Sequence, residues 1–333
     1  MKKSTILLVS VTAFLLLLFY SVNTNAKVIK QHTSFMGNYK KVACVNNKIY
    51  SNHNKSNDSY ADRSHQLDFK CGNKYIQFIN DRKISKLVYK NHYGTVQNIT
   101  MTPDNRYLFV EYHEISSTDN SMLGEIAKFD LKNHKLVKKT SEKEFGHGQS
   151  LSYNQHEKVL YLIVLGRNAS QKAKIMRISP YSLKILSETR VKSKSYLISD
   201  QLAFDKHNHA YSYTRSSNNI NGKNCLRIYK GKLSKKHSRL NLKQVIRHAP
   251  GHNDNTANIP QSMAYNKHNN RIYFVANGEI MSVPSHKIGH LKRKDVQDTV
   301  LNTNKEFEGL TFDSKGYAYL ATRYQIFRSS RPL

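Results

Sequence analysis

Five polar side chains recur along this chain at intervals suited to a shared site: Gln97, Gln149, Asp200, Gln261 and Glu308 lie 52, 51, 61 and 47 residues apart. Oxygen donors of this kind suit a hard cation such as calcium, with Asp200 and Glu308 supplying the charge. Asn98, His147 and Glu306 fall beside these positions. A histidine near carboxylates is also the raw material of general-base hydrolysis, so His147 with Asp200, Glu306 and Glu308 is the candidate catalytic set. The competing reading is structural: each polar residue hydrogen-bonds a neighbouring segment and holds the fold together. That second reading is the stronger one, because two carboxylates among three glutamines make a weak cation site.

The elements around these residues repeat with them. After each polar position comes an apolar residue two places on: Ile99, Leu151, Leu202, Met263 and Leu310. A short alternating strand, a polar turn rich in Asn, Asp, Lys and His, and a second strand follow. The second strands contain Tyr107-Leu108-Phe109, Leu160-Tyr161-Leu162, Ala210-Tyr211, Ile272-Tyr273-Phe274 and Ala318-Tyr319-Leu320. Period-two alternation around such turns predicts antiparallel hairpins. Each unit continues with another hairpin, as in "EIAKFDLKNHKLVKK", "KIMRISPYSLKILSE" and "EIMSVPSHKIGHL". Two hairpins per unit make one four-stranded sheet, and the period fits a propeller blade. The fold class is therefore all-β, a β-propeller, whose channel rim would gather Gln97, Asn98, His147, Gln149, Asp200, Gln261, Glu306 and Glu308 as a candidate small-ligand or glycan site. Counting "MGNYKKVACVNNKIY" (Met36 to Tyr50) as a degenerate first copy gives six blades, with five as the alternative. The N-terminal "KVIKQH" is the candidate strand to complete the last blade and close the ring. No amphipathic helix is expected outside the extreme N-terminus.

The N-terminus carries Lys2 and Lys3, an uncharged apolar run from Ile6 to Val22, and small residues at Thr24 and Ala26. This layout predicts a secretory signal peptide over residues 1–26, with residues 27–333 as a single propeller domain. An exported protein would be secreted or held at the cell surface. Lys+Arg 53 against Asp+Glu 23 gives a formal net charge of +30, or +28 without the two leader lysines. Charge speaks to partners rather than to fold. Outside a cell it points to anionic wall polymers or membrane surfaces, and no nucleic-acid module is visible. Two stretches are densest, "KGKLSKKHSR" (Lys230 to Arg239) and "HKIGHLKRK" (His286 to Lys294). Of the three cysteines, Cys44 and Cys71 are the candidate disulfide pair, and Cys225 is left over. There is no CxxC, no G-x-S-x-G elbow, no Walker loop and no His-Glu-x-x-His.

The segment "EGLTFDSKGYAYLAT" resembles the blade motif of gluconolactonase-type propellers, which implies an acidic residue at a channel mouth and a bound calcium. The basic exported chain, its "GHGQSLSYN" segment and its hydrophobic-Tyr strands resemble the large secreted bacteriocins of the helveticin J type. That second resemblance implies a non-enzymatic antibacterial or wall-binding protein. The two resemblances lead to different functions. One is a bacteriocin-like, wall-associated binder of anionic polymers; the other is a calcium-dependent lactonase-like hydrolase.

Overall fold

A computed structural model of the chain describes residues 66–71, 74–90, 94–113, 123–146, 148–164, 174–190, 201–220, 223–235, 238–246, 260–300 and 305–333. The candidate first copy, Met36 to Tyr50, the "KVIKQH" segment and Cys44 lie outside these residues, as does the leader.

The chain enters through β1 (Gln66–Cys71) and β2 (Lys74–Asn80), then forms helix α1 (Arg82–Tyr89). Blade I follows with β3 (Thr95–Met101), β4 (Tyr107–His113), β5 (Leu123–Asp130) and β6 (Lys135–Lys139), and the short β7 (Lys143–Glu144) also pairs with β5. Blade II is β8 (Ser152–Asn154), β9 (Val159–Val164), β10 (Lys174–Ile178) and β11 (Ile185–Arg190). Blade III is β12 (Ala203–Phe204), β13 (Ala210–Ile220), β14 (Lys223–Leu233) and β15 (Ser238–Ile246). Blade IV is β16 (Pro260–Asn266), β17 (Arg271–Ala276), β18 (Glu279–Pro284) and β19 (Gln297–Val300). Blade V takes β20 (Phe307–Phe312), β21 (Ala318–Thr322) and β22 (Ile326–Ser329) from the C-terminus, and β2 and β1 complete it outside β22.

The described residues thus build a five-bladed propeller, the alternative count, and the six-bladed expectation is corrected. The ring has no gap for a sixth blade, because the inner strands touch in a cycle: β3 with β8, β8 with β12, β12 with β16, β16 with β20, and β20 with β3. The buried apolar residues divide the same way, into five clusters that each straddle one seam between consecutive blades. No four-stranded sheet can bury both of its faces alone, so each seam is shared core. N-terminal residues do close the ring, as the edge-strand argument requires. They are residues 66–80 rather than "KVIKQH", with Phe78 paired to Ser329 and Asn80 to Phe327.

Helix α1 is a second departure from expectation. Asp81 caps it by accepting the Ile84 amide at 3.0 Å, and Ile84 and Val88, one turn apart, bury into the seam between blades V and I. Two turns leave too few apolar positions for a helical period to stand out in the sequence.

Turn chemistry explains the repeat. In four of the five first hairpins an Asn or Asp ends the inner strand and folds back on the amide two residues later. Asn154 accepts His156, Asp205 accepts His207, Asn266 accepts His268, and Asp313 accepts Lys315, at 2.8 to 3.0 Å. Blade I uses Asp104 for the same purpose, bonded to Thr102 and the Arg106 amide. Each turn then passes through a left-handed residue: Asn105, Lys158, Asn208, Asn270 or Gly316. Asn, Asp and Gly dominate here because their side chains, or lack of one, tolerate that geometry. His156, His207 and His268 stand exposed on these turns.

Candidate functional site

The inner strands begin at one end of the channel and finish at the other, and the two ends differ in chemistry. At the starting end, Gln97, Gln261 and Glu308 each sit at a register shift of β3, β16 and β20. A bulge leaves one residue outside the ladder and re-aims it. Gln149 stands just before β8. All four are buried, together with Gln201 just before β12.

Their amides join one another. Gln201 donates Nε2 to Gln149 Oε1 at 2.9 Å, Gln149 donates Nε2 to Gln261 Oε1 at 2.5 Å, and Gln261 donates Nε2 to Asn277 Oδ1 at 3.2 Å and Glu306 Oε1 at 3.4 Å. The run therefore crosses from blade III through II and IV toward V. Asn98 donates to the Gln149 carbonyl at 2.6 Å and accepts Ser262 Oγ at 3.3 Å, tying blade I to II and IV. Ser262 in turn accepts the Leu310 amide of blade V at 3.2 Å. Gly309 allows this convergence: a Cβ there would lie 2.7 Å from the Ile99 nitrogen and 3.0 Å from Asn98 Cα.

The structure so brings Asn98, Gln149, Gln261 and Glu306 from the sequence set into one network of bonded side chains and backbone, while Gln97 and Glu308 are buried at the bulges of the same end. Asp200 and His147 lie outside the described residues. The sequence reading missed Gln201, which follows the chosen Asp200 directly and supplies blade III's amide to the network. Cys71 and Cys225 fall on β1 and β14, and Cys44 is outside the described residues.

Calcium was the cation implied by the gluconolactonase resemblance. Among the described residues no three His, Cys, Asp or Glu side chains converge on one point. The oxygens of Gln149 and Gln261 already accept hydrogen bonds, and the Arg323 guanidinium stands 3.9 Å from the Glu306 carboxylate. The described groups do not by themselves make a calcium shell.

The other end is open. A cavity of about 270 Å3 lies where the inner strands finish, walled by residues from all five blades. Tyr153, Phe204, Tyr265 and Phe312 give it aromatic sides, Met101 and Met263 contribute flexible apolar contacts, and Gln155, Lys267, His268 and Ser314 add polar groups. Its surface is more polar than apolar, and a concavity on which several polar groups converge is a candidate small-ligand site. Ile99, Leu151, Met263 and Leu310, the apolar positions of the repeat, line it, but periodicity alone does not show that they share a cavity.

Solved structures match the chain at low identity and low TM-score. Streptogramin B lyase matches at 13% identity over 80% of this chain and 72% of its own, with a TM-score of 0.35. A glucose dehydrogenase matches at 10% over 72% and 83%, with a TM-score of 0.42. Kuenenia stuttgartiensis hydrazine synthase matches at 12% over 78% and 90%, with a TM-score of 0.37. No family model matches the chain. No curated protein matches it either.

One buried acid was absent from the sequence set. Glu111 lies on β4, is 0% exposed, and neither of its carboxylate oxygens has a hydrogen-bond partner among the described residues. Burial pushes its carboxyl well above the usual carboxylate range. It is wedged between two glycines. A Cβ on Gly124 would lie 2.5 Å from Oε1, and a Cβ on Gly148 would lie 1.7 Å from Oε2. Gly146 and Gly148 both have positive φ, 68° and 79°. The glycines flanking His147 are therefore required by the backbone, and Gly148 also by the acid beside it. Comparing blades gives the missing signal. Glu111 pairs with Asn98, and the equivalent partners of Ser262 and Gly309 are the apolar Val275 and Ala321.

Proposed function

We propose that this chain is an exported, strongly basic propeller that binds anionic polymers of the bacterial surface, in the manner of a bacteriocin-like or wall-associated protein. The observation that carries the reading is the charge excess, +30 over the whole sequence, together with where the described cations stand. On blade I, Lys132 in the turn before β6 and Lys135, Lys138 and Lys143 on the outer strands are exposed. On blade III, Lys232, Arg239 and Lys243 are exposed while the intervening Leu240 and Leu242 are buried. The ring is held together by its apolar seams, so these charges are spared from the core and act on partners.

The test is to incubate the mature protein with bacterial cells and to follow binding and viability in parallel across salt concentrations. Binding that is strong at low ionic strength and falls steeply toward physiological salt is the expected result, since exposed charges are screened over about 8–10 Å there. No retention at low salt, or retention that salt does not weaken, would overturn the reading. Loss of viability alongside binding distinguishes a killing protein from a passive adhesin.

A further inference from the structure

The two densest basic stretches of the sequence are far apart in the chain but meet on one seam. In blade III, Lys230 pairs with Asn241 and Lys232 with Arg239 across β14 and β15. Directly paired residues share a face, as do alternate residues of one strand. Arg239, Asn241 and Lys243 are exposed on that face. Arg239 donates Nε to Asn241 Oδ1 at 3.1 Å, which holds the guanidinium along the strand.

Blade IV supplies the rest. The connection between β18 and β19 folds onto this edge, where Gln244, 0% exposed, accepts the Gly289 amide at 3.0 Å and the Leu291 amide at 3.3 Å through Oε1. Ile288 and Leu291 sink into the core between blades III and IV. Gly289 lies against the Lys243 carbonyl, so His290 and Lys292, both exposed, come out next to Lys243. One buried glutamine thereby fixes the relative position of two cation-bearing segments.

The cations are short of counterions. Lys287 is matched by Asp295 at 2.6 Å, and that same carboxylate accepts the Lys292 amide at 2.8 Å. Lys232, Arg239, Lys243 and Lys292 make no ion pair with any described residue. Burial pulls the Lys230 ammonium below its ordinary range; Asp205 opposes this and Lys243 adds to it. Like charges fixed together repel, a standing cost that an anionic ligand would relieve.

We infer that the seam between blades III and IV is the docking surface for one extended phosphodiester polymer chain, its phosphates spaced along Lys232, Arg239, Lys243 and Lys292. This rests on the polyanion-binding reading above and specifies where it acts. Alternate residues on a strand stand about 7 Å apart, a gap that one repeat of a flexible phosphodiester chain can bridge. A chain fits better than a bilayer, which also needs apolar side chains to enter the interface. The exposed large hydrophobics among the described residues are Ile79, Val137, Tyr181 and Leu186, on blades V, I and II, away from this seam.

Two triple variants of the full protein with equal net charge decide the matter. The seam variant is Lys232→Ala, Arg239→Ala, Lys243→Ala; the control is Lys83→Ala, Lys86→Ala, Lys90→Ala on and beside helix α1. All six positions are exposed, and coincident thermal melts would verify intact folding. Affinity for soluble poly(glycerol phosphate) is measured as a function of salt. The seam variant is expected to lose about tenfold or more at low salt. Its slope of log K against log salt should fall by about 2, at roughly 0.7 per lost phosphate contact on a single chain. The control should lose about threefold or less. If both triples lose equally, or the seam variant binds like the parent, the seam assignment is wrong while the polyanion reading stands. If the parent itself does not bind at low salt, both fall. Tighter, seam-dependent binding of duplex nucleic acid or of anionic vesicles would overturn the polymer class.

Discussion

Alanine in place of Gly148 lowers the thermal midpoint by about 4–20 °C, from a loss of roughly 2–5 kcal/mol at 2–4 °C per kcal/mol. Two costs add. A left-handed backbone, here φ 79°, costs an L-residue with a Cβ about 1–2 kcal/mol. The new methyl would also lie 1.7 Å from Glu111 Oε2 and 1.9 Å from its Cδ. The carboxyl has little room to retreat, since Gly124 lies against its other oxygen. Overpacking of a filled site typically costs a further 1–3 kcal/mol. The double variant Glu111→Ala, Gly148→Ala should recover the packing part and retain the backbone part. A benign Gly148→Ala, or a double variant no better than the single, would refute the placement of the Glu111 carboxyl against Gly148.

Glu111→Gln should flatten the alkaline side of the stability profile. The folded protein holds this carboxyl well above its ordinary range by burial, so below that range both folded and unfolded chains are protonated and nothing is lost. As pH rises past the ordinary carboxylate range, the unfolded chain ionises first. The parent then loses about 1.4 kcal/mol per pH unit until the folded-state carboxyl ionises too. Glutamine keeps the shape and removes the titration. Denaturant midpoints of parent and variant should agree best in acid and separate in the variant's favour from about pH 5 to pH 8. Parallel curves across that window would show that Glu111 is not held neutral. The acid limb has a different origin. Burial pushes Asp205 up, but hydrogen bonds from His209 and Tyr211 outweigh it and hold the carboxyl low. Stability from Asp205 is present above the ordinary range and is lost as pH falls from there through the lower value of the folded state, in both proteins alike.

Both expectations concern a stretch, "GHGQ", in which the sequence offered a histidine between glycines. The glycines now have physical causes, and Gln149 belongs to an amide network shared by four blades. What made the blades legible was turn chemistry: Asn154, Asp205, Asn266 and Asp313 bond their own turns locally, so each copy must keep the residue type. The blade count was less legible. Met36 to Tyr50 has the same alternating texture as a blade strand, while the true closing strands, "QLDFKC" and "KYIQFIN", pair with the far end of the chain. Register with residue Ser329 is not encoded near residue 78. Glu111 was overlooked for a related reason. Its meaning lies in the contrast with Val275 and Ala321 at matching positions of other blades, not in its neighbours along the strand. The cavity at the turn end and the meeting of two basic stretches at Gln244 depend on which strands lie side by side, and periodicity carries no such information.

The most direct test of the central claim, that anionic surface polymers are the partner, compares intact bacterial walls with walls stripped of their phosphodiester polymers. Co-sedimentation at physiological salt is the measurement. The charge account predicts that intact walls retain the protein and that stripping releases most of it, with soluble poly(glycerol phosphate) competing for what remains bound. Equal retention on intact and stripped walls would contradict it and place recognition on the wall glycan instead.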